Sequence, residues 1–150
     1  MMTRWILAAL HLLGLGIGLG AVWTRSRALR GPLDATGLRR VFVADAWWGA
    51  AAGVWLVTGL WRLFGSLEKS TDYYLQSPAF MAKMSMFVLV VALEVLPMMT
   101  LIRWRASLRR GEPVDTARAG TLARISALQA ILVVAMVFAA TAMARGLWSS

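Results

Sequence analysis

The sequence predicts an all-α integral membrane protein, a four-helix bundle with its N and C termini outside. Three observations carry that reading. Hydrophobic residues fill 59% of the 150 positions and charged residues 15%, with a mean hydropathy of +0.66, whereas a soluble domain lies nearer half apolar and a quarter charged. The apolar residues are gathered into four continuous runs, and a helix needs about 20 such residues to cross the hydrocarbon core. The arginines concentrate in two of the three connections, and such loops stay on the cytoplasmic side.

Residues 1–150 read as a single four-span domain. Span one runs from Trp5 to Trp23, span two from Val41 to Leu63, span three from Ala79 to about Ile102, and span four from about Ile125 to Met143. Strands are disfavoured, because the runs do not alternate and an open sheet edge in lipid would leave backbone groups unpaired. Span one has Arg4 before it, no small-x-small cleavage site, and Arg25, Arg27 and Arg30 close behind it. That order marks an N-out anchor rather than a cleaved signal peptide.

Arg25, Arg27, Arg30, Arg39 and Arg40 occupy the first connection, and Arg103, Arg105, Arg109, Arg110, Arg118 and Arg124 the third. The second connection carries Glu68, Lys69 and Asp72, with Arg62 at its edge and Tyr73 and Tyr74 within it. Both basic connections therefore face inward, where they set topology or bind anionic lipid head groups. Gly111 to Asp115 reads as a turn, with Asp115 capping a helix that runs through Arg118 and Arg124 into span four. The net charge of +9 suits a membrane surface, and with this apolar content no nucleic-acid partner is expected. With no cysteine, disulfides, thiolate nucleophiles and Cys-ligated metal sites are excluded.

Function is sought where the sequence tolerates a cost. A charged side chain at mid-bilayer costs roughly 2.5–3.5 kcal/mol on insertion scales, so His11, Asp45, Lys83 and Glu94 are the candidate intramembrane residues. At 1.5 Å per residue His11 lies about 9 Å and Lys83 about 6 Å from the outer ends of their spans. Asp45 is about 6 Å from the inner end of span two, and Glu94 is about 22 Å down span three. An outer His/Lys layer and an inner Asp/Glu layer result.

Helical phase puts His11 on one stripe with Leu7, Gly14 and Gly18, Lys83 with Phe87, Val90 and Glu94, and Asp45 with Gly49, Ala52 and Gly59. Such polar, small-residue faces belong in the bundle interior. Span four offers only Ser126, Gln129 and Thr141. Each feature also has a structural reading. The Gly14/Gly18, Gly16/Gly20 and Gly49/Gly53 pairs let helices approach closely, Lys83 could snorkel to head groups, and His11 could be a hydrogen-bonded core residue. Asp45 could pair with Arg39, Arg40 or a basic residue of the other inner loop. Glu94 must be neutral, paired or beside water, and Pro97 frees a carbonyl one turn later.

Met81, Met84, Met86, Met98 and Met99 admit a Cu(I) reading, but methionine is ordinary core filler. Trp5, Trp23, Trp61, Trp104 and Trp148 mark an interfacial aromatic belt, while Trp47, Trp48 and Trp55 sit deeper and read as packing residues.

The run Asp45-Ala46-Trp47-Trp48-Gly49, then Thr58 to Arg62, Tyr73-Tyr74, Phe80, Lys83, Phe87, Pro97 and Arg103-Trp104-Arg105, resembles the bacterial membrane family called domain of unknown function 2214. The resemblance implies a multi-pass protein of the bacterial cell inner membrane, with periplasmic termini. More distantly, Leu10-His11 with Gly20, Arg27 and Leu29, and Lys83 early in span three, look like the superfamily of HemJ-type protoporphyrinogen oxidases and copper resistance protein D. In the HemJ-type enzymes a first-span histidine and a third-span lysine are functional, and His11 and Lys83 match them.

No hydrolase, Walker or H-E-x-x-H pattern is present, so whether the chain is an enzyme is left open. The first functional expectation is an outer-half pocket for haem b or a porphyrin, with a redox role as one reading. His11 would be the metal ligand, Gly14 and Gly18 would leave room for the macrocycle, and Lys83 and Arg62 would hold propionates. The second is a non-enzymatic accessory or interaction subunit, docking partner membrane helices or a second copy through its glycine faces. An ion or proton pathway through Lys83, Glu94 and Asp45 is the third.

Overall fold

The structure, a computed structural model, describes residues 1–65 and 75–146. Tyr73, Tyr74 and Trp148 lie outside the described residues, and so does the acidic part of the second connection. Among the described residues the long elements are all helices: α1 (Met2–Arg30), α2 (Ala35–Phe64), α3 (Pro78–Arg109) and α4 (Ala119–Ala144). All four are long and apolar enough to cross a membrane. At 26 to 32 residues they measure about 39–48 Å, more than the ~30 Å hydrocarbon core, so their ends reach the head groups or the helices tilt.

The helices also run beyond the expected spans. Span one is expected over Trp5 to Trp23, and α1 continues past it through Arg25, Arg27 and Arg30. Arginine is a good helix former, and the break comes only at Gly31-Pro32, where Gly31 is extended with φ −85° and ψ −175° as the residue before proline prefers. Asp34 then caps α2 by accepting from the Gly37 amide at 2.8 Å, and Ser77 caps α3 ahead of Pro78 at its first turn. Asp115 does not cap α4 as expected. It accepts from the Ala117 amide at 3.0 Å, closing a turn before α4 starts at Ala119. Gly111, at φ +69°, supplies the left-handed residue after α3.

The helices run alternately up and down, with α1 packed on α2 and α4, and α3 on α4. Met1 and Gly146 therefore lie at one end of the bundle, the terminal end, and the two basic turns at the other, the arginine end. Two apolar clusters fill the interior. One, around Leu29, Val41, Leu101, Trp104 and Leu122, closes the arginine end. The other, around Val22, Trp48, Val90, Val133 and Met136, fills the middle. Trp104, expected in the interfacial belt, is 4% exposed and belongs to the first cluster. Outward-facing Leu12, Val57, Val88, Ile131 and Phe138 are all at least 59% exposed, the pattern of a bundle solvated by acyl chains.

The glycine pairs separate. Gly14 and Gly18 face α2: a Cβ at Gly14 would stand 3.3 Å from the Ala51 carbonyl oxygen and the Trp55 amide nitrogen, and one at Gly18 would touch Ala51 and Trp48. Gly16, Gly20, Gly49 and Gly53 have nothing within 4 Å of such a Cβ, so the expectation that Gly49 turns inward with Asp45 is corrected. Gly14→Leu should therefore force α1 and α2 apart and lower stability by about 1–3 kcal/mol. Gly16→Leu, which meets open space, should leave the detergent unfolding midpoint unchanged.

Candidate functional site

Two polar layers are built into the bundle, and the residue that organises the inner one is Arg25. The guanidinium has no exposed surface, and all five of its N–H groups are used. Nε donates to Ser126 Oγ at 3.0 Å, Nη1 to Asp45 Oδ1 and Glu94 Oε1 at 2.8 Å each, and Nη2 to Glu94 Oε2 at 2.9 Å and Gln129 Oε1 at 2.8 Å. Gln129 donates in turn to the Val90 carbonyl at 3.1 Å and to Glu94 Oε2 at 2.8 Å. On its other oxygen Asp45 accepts from Arg105 Nη2 at 2.9 Å.

Two guanidiniums thus balance two carboxylates, and every helix contributes a partner. Exposure rises outward through the cluster, from 0% at Arg25 to 15% at Asp45, 24% at Glu94 and 37% at Arg105. The pairing expected of Asp45 is realised with Arg105 from the α3 end and not with Arg39 or Arg40. Glu94 is paired, and Ser126 and Gln129, the modest polar marks of span four, are its fourth wall. In the sequence Arg25 reads as one of the loop arginines. The signal was available, because Arg25 continues the His11, Gly14, Gly18 stripe by one more heptad.

Removing one member of a buried ion cluster leaves its partners charged and unmatched, which costs about 3–5 kcal/mol. Arg25→Gln should lower the thermal midpoint in detergent accordingly, whereas exposed Arg109→Gln should change stability by less than about 0.5 kcal/mol.

The outer layer lies toward the terminal end, beyond the Trp48, Val90 and Met136 level. There a cavity of about 550 Å³ is lined from all four helices, among its residues His11, Trp55, Arg62, Phe80 and Lys83. A volume in the range of about 300–1,000 Å³ is typical of small-molecule sites. Lys83 is half-buried on this wall. His11 is 9% exposed and is held from α2. Its Nδ1 lies 3.0 Å from Thr58 Oγ1 and 3.2 Å from the Trp55 carbonyl oxygen, while Thr58 Oγ1 donates to the Val54 carbonyl at 2.7 Å. Both neighbours of Nδ1 thus act as acceptors, so Nδ1 carries the proton and, in the neutral ring, Nε2 the lone pair. The imidazole stacks on Trp55 with centroids 5.5 Å apart, and Trp55 meets Phe87 at 5.4 Å. Gly59 permits this seat, since a Cβ there would lie 3.2 Å from His11 Cε1.

The structure therefore brings His11, Arg62 and Lys83 to one cavity. Gly14 and Gly18 are not on its wall: the groove expected beneath His11 is filled by α2, through Trp48, Ala51 and Trp55. Asp45 and Glu94 sit apart, in the Arg25 cluster. The Trp55 indole Nε1 is buried and makes no hydrogen bond among the described residues, an orphan donor with no signal in the sequence. A buried donor in this state calls for an acceptor. Among the described residues no three His, Asp or Glu side chains converge as a metal-binding group.

The sequence model of the family described as "Predicted membrane protein (DUF2214)" matches residues 3–147, and the chain belongs to that family. No curated protein matched the chain and no solved structure did so.

Proposed function

We propose that this member of the family is a multi-pass protein of the bacterial inner membrane that holds a haem or related tetrapyrrole in the cavity of His11, Arg62 and Lys83. The observation that carries the reading is the seating of His11. A histidine whose Nδ1–H is fixed by a hydroxyl and a carbonyl has its other ring nitrogen set up as a ligand, the arrangement that orients metal-bound imidazoles. The rest of the wall suits the same guest. Phe80, Trp55 and Leu15 provide apolar surface, Arg62 and Lys83 suit carboxylates, and the orphan indole N–H of Trp55 would gain an acceptor. In this reading the macrocycle is admitted by the cavity itself and not by Gly14 and Gly18.

Haem would supply one-electron chemistry at its iron. The chain's own part would be to ligate through His11, to anchor propionates through Arg62 and Lys83, and to exclude water with its aromatic wall. The termini and the cavity would then face the periplasm, and the basic turns the cytoplasm.

A second reading, a non-enzymatic accessory subunit, is favoured by the bare outward faces of Gly16, Gly20, Gly49 and Gly53, which suit partner helices or a second copy. A proton route through Lys83, Glu94 and Asp45 has weaker support, because both carboxylates already accept from guanidiniums.

Haemin titrated into the purified, detergent-solubilised chain should give a saturable Soret band that His11→Phe abolishes. Arg62→Gln and Lys83→Gln should each weaken binding about tenfold or more, as lost charge-assisted hydrogen bonds do. A band that persists in folded His11→Phe, or none in the folded parent, removes the haem reading and leaves the accessory one.

A further inference from the structure

At the arginine end the first turn and the helices it joins form a second concave surface, unrelated to the His11 cavity. It is a groove of about 680 Å³ between α1 and α2, open on the outside of the bundle. Three exposed arginines, Arg27, Arg39 and Arg40, form its mouth. None of the three makes a hydrogen bond or ion pair with a described residue. Asp34, the acidic residue nearest in sequence, is not on the wall and is engaged in capping α2 at the Gly37 amide.

Below the arginines the wall turns apolar, with Ile17, Val43 and Trp47, which are 46%, 49% and 58% exposed. Ile17 lies ten residues from Arg27 on α1, about 15 Å along the axis. The groove therefore has the amphiphilic order of a single lipid molecule: a cationic mouth at head-group level, then an apolar wall running toward mid-bilayer. The turn at its mouth is tight and requires glycine, because any Cβ at Gly37 would collide with the Pro32 carbonyl.

We propose that this groove is a binding site for an anionic phospholipid of the adjoining leaflet, its phosphate held by Arg27, Arg39 and Arg40 and one acyl chain lying along Ile17, Val43 and Trp47. The occupant follows from charge and shape together. Three uncompensated guanidiniums call for an anion, and the apolar wall beneath them calls for an acyl chain attached to it. The site is independent of any tetrapyrrole reading.

The test is the selectivity of the full chain, reconstituted in phosphatidylcholine vesicles, for spin-labelled phosphatidylglycerol over spin-labelled phosphatidylcholine, read as the motionally restricted fraction. The parent should prefer the anionic label, and each of Arg27→Gln, Arg39→Gln and Arg40→Gln should reduce that preference about fivefold or more, as lost charge-assisted hydrogen bonds to the phosphate do. Val43→Trp, which fills the apolar wall and leaves all charges in place, should reduce it as well. A control triple variant, Arg103→Gln with Arg109→Gln and Arg118→Gln, removes three charges from the same end, more than any single site variant, and should keep the preference. These positions are exposed, so the fold is retained, and circular dichroism verifies it.

Equal loss in the control triple would overturn the site in favour of diffuse surface charge. Indifference to Val43→Trp would also overturn it. So would displacement of the label by inorganic phosphate, but not by chloride at matched ionic strength, because the site would then recognise phosphate alone. Absence of selectivity in the parent would end the proposal outright.

Discussion

One guanidinium fixes how the four helices meet. Arg25 extends from α1 into the bundle and spends its five donors on Asp45 of α2, Glu94 of α3, and Ser126 and Gln129 of α4. Hydrophobicity does not choose between packing arrangements when the solvent is itself apolar. A saturated polar centre does, because any rotation or shift of one helix by a turn leaves a charge or an amide unmatched in a low-dielectric interior. Glycine supports the same choice. Gly14 and Gly18 bring α2 close enough to α1 for Asp45 to reach the guanidinium without a long lever.

The second polar layer is built on different terms. In the Arg25 cluster the hydrogen-bond inventory closes, with charges matched and the arginine's donors used. Around His11 one buried donor is left over. The ring is held at Nδ1, the Trp55 indole N–H has no acceptor among the described residues, and the wall carries the cations Arg62 and Lys83 beside apolar side chains. A closed set of bonds stabilises a fold, whereas an unmet donor beside a cavity is where a guest finds a partner. Between them the Trp48, Val90 and Val133 layer keeps the two apart.

Much of this was legible in the sequence. Apolar runs of about 20 residues announce spans directly, and His11, Asp45, Lys83 and Glu94 were conspicuous because charge is rare in such runs. Periodicity correctly grouped His11 with Gly14 and Gly18 but could not tell whether the glycines faced a void or a neighbour; that depends on α2, which the stripe does not contain. Arg25 was hidden for a related reason. An arginine just beyond an apolar run looks like any head-group arginine, and only the carboxylates of two other helices reveal that it points inward. Trp104 was misjudged likewise, since a tryptophan near a span end is a belt residue or a core residue according to which face it occupies. The orphan N–H of Trp55 had no sequence signal, being a statement about the lack of a neighbour.

The charge balance of the inner cluster also bears on how the chain enters its bilayer. Arg25, Asp45 and Glu94 lie on three successive helices, so each of those helices, inserted alone, would carry an ionised group with no counterpart and would hold it near a head-group layer. Only α4 brings uncharged partners, Ser126 and Gln129. The first three helices thus become comfortable in hydrocarbon together, which favours co-insertion as a preassembled hairpin and its follower over helix-by-helix release from the translocation machinery.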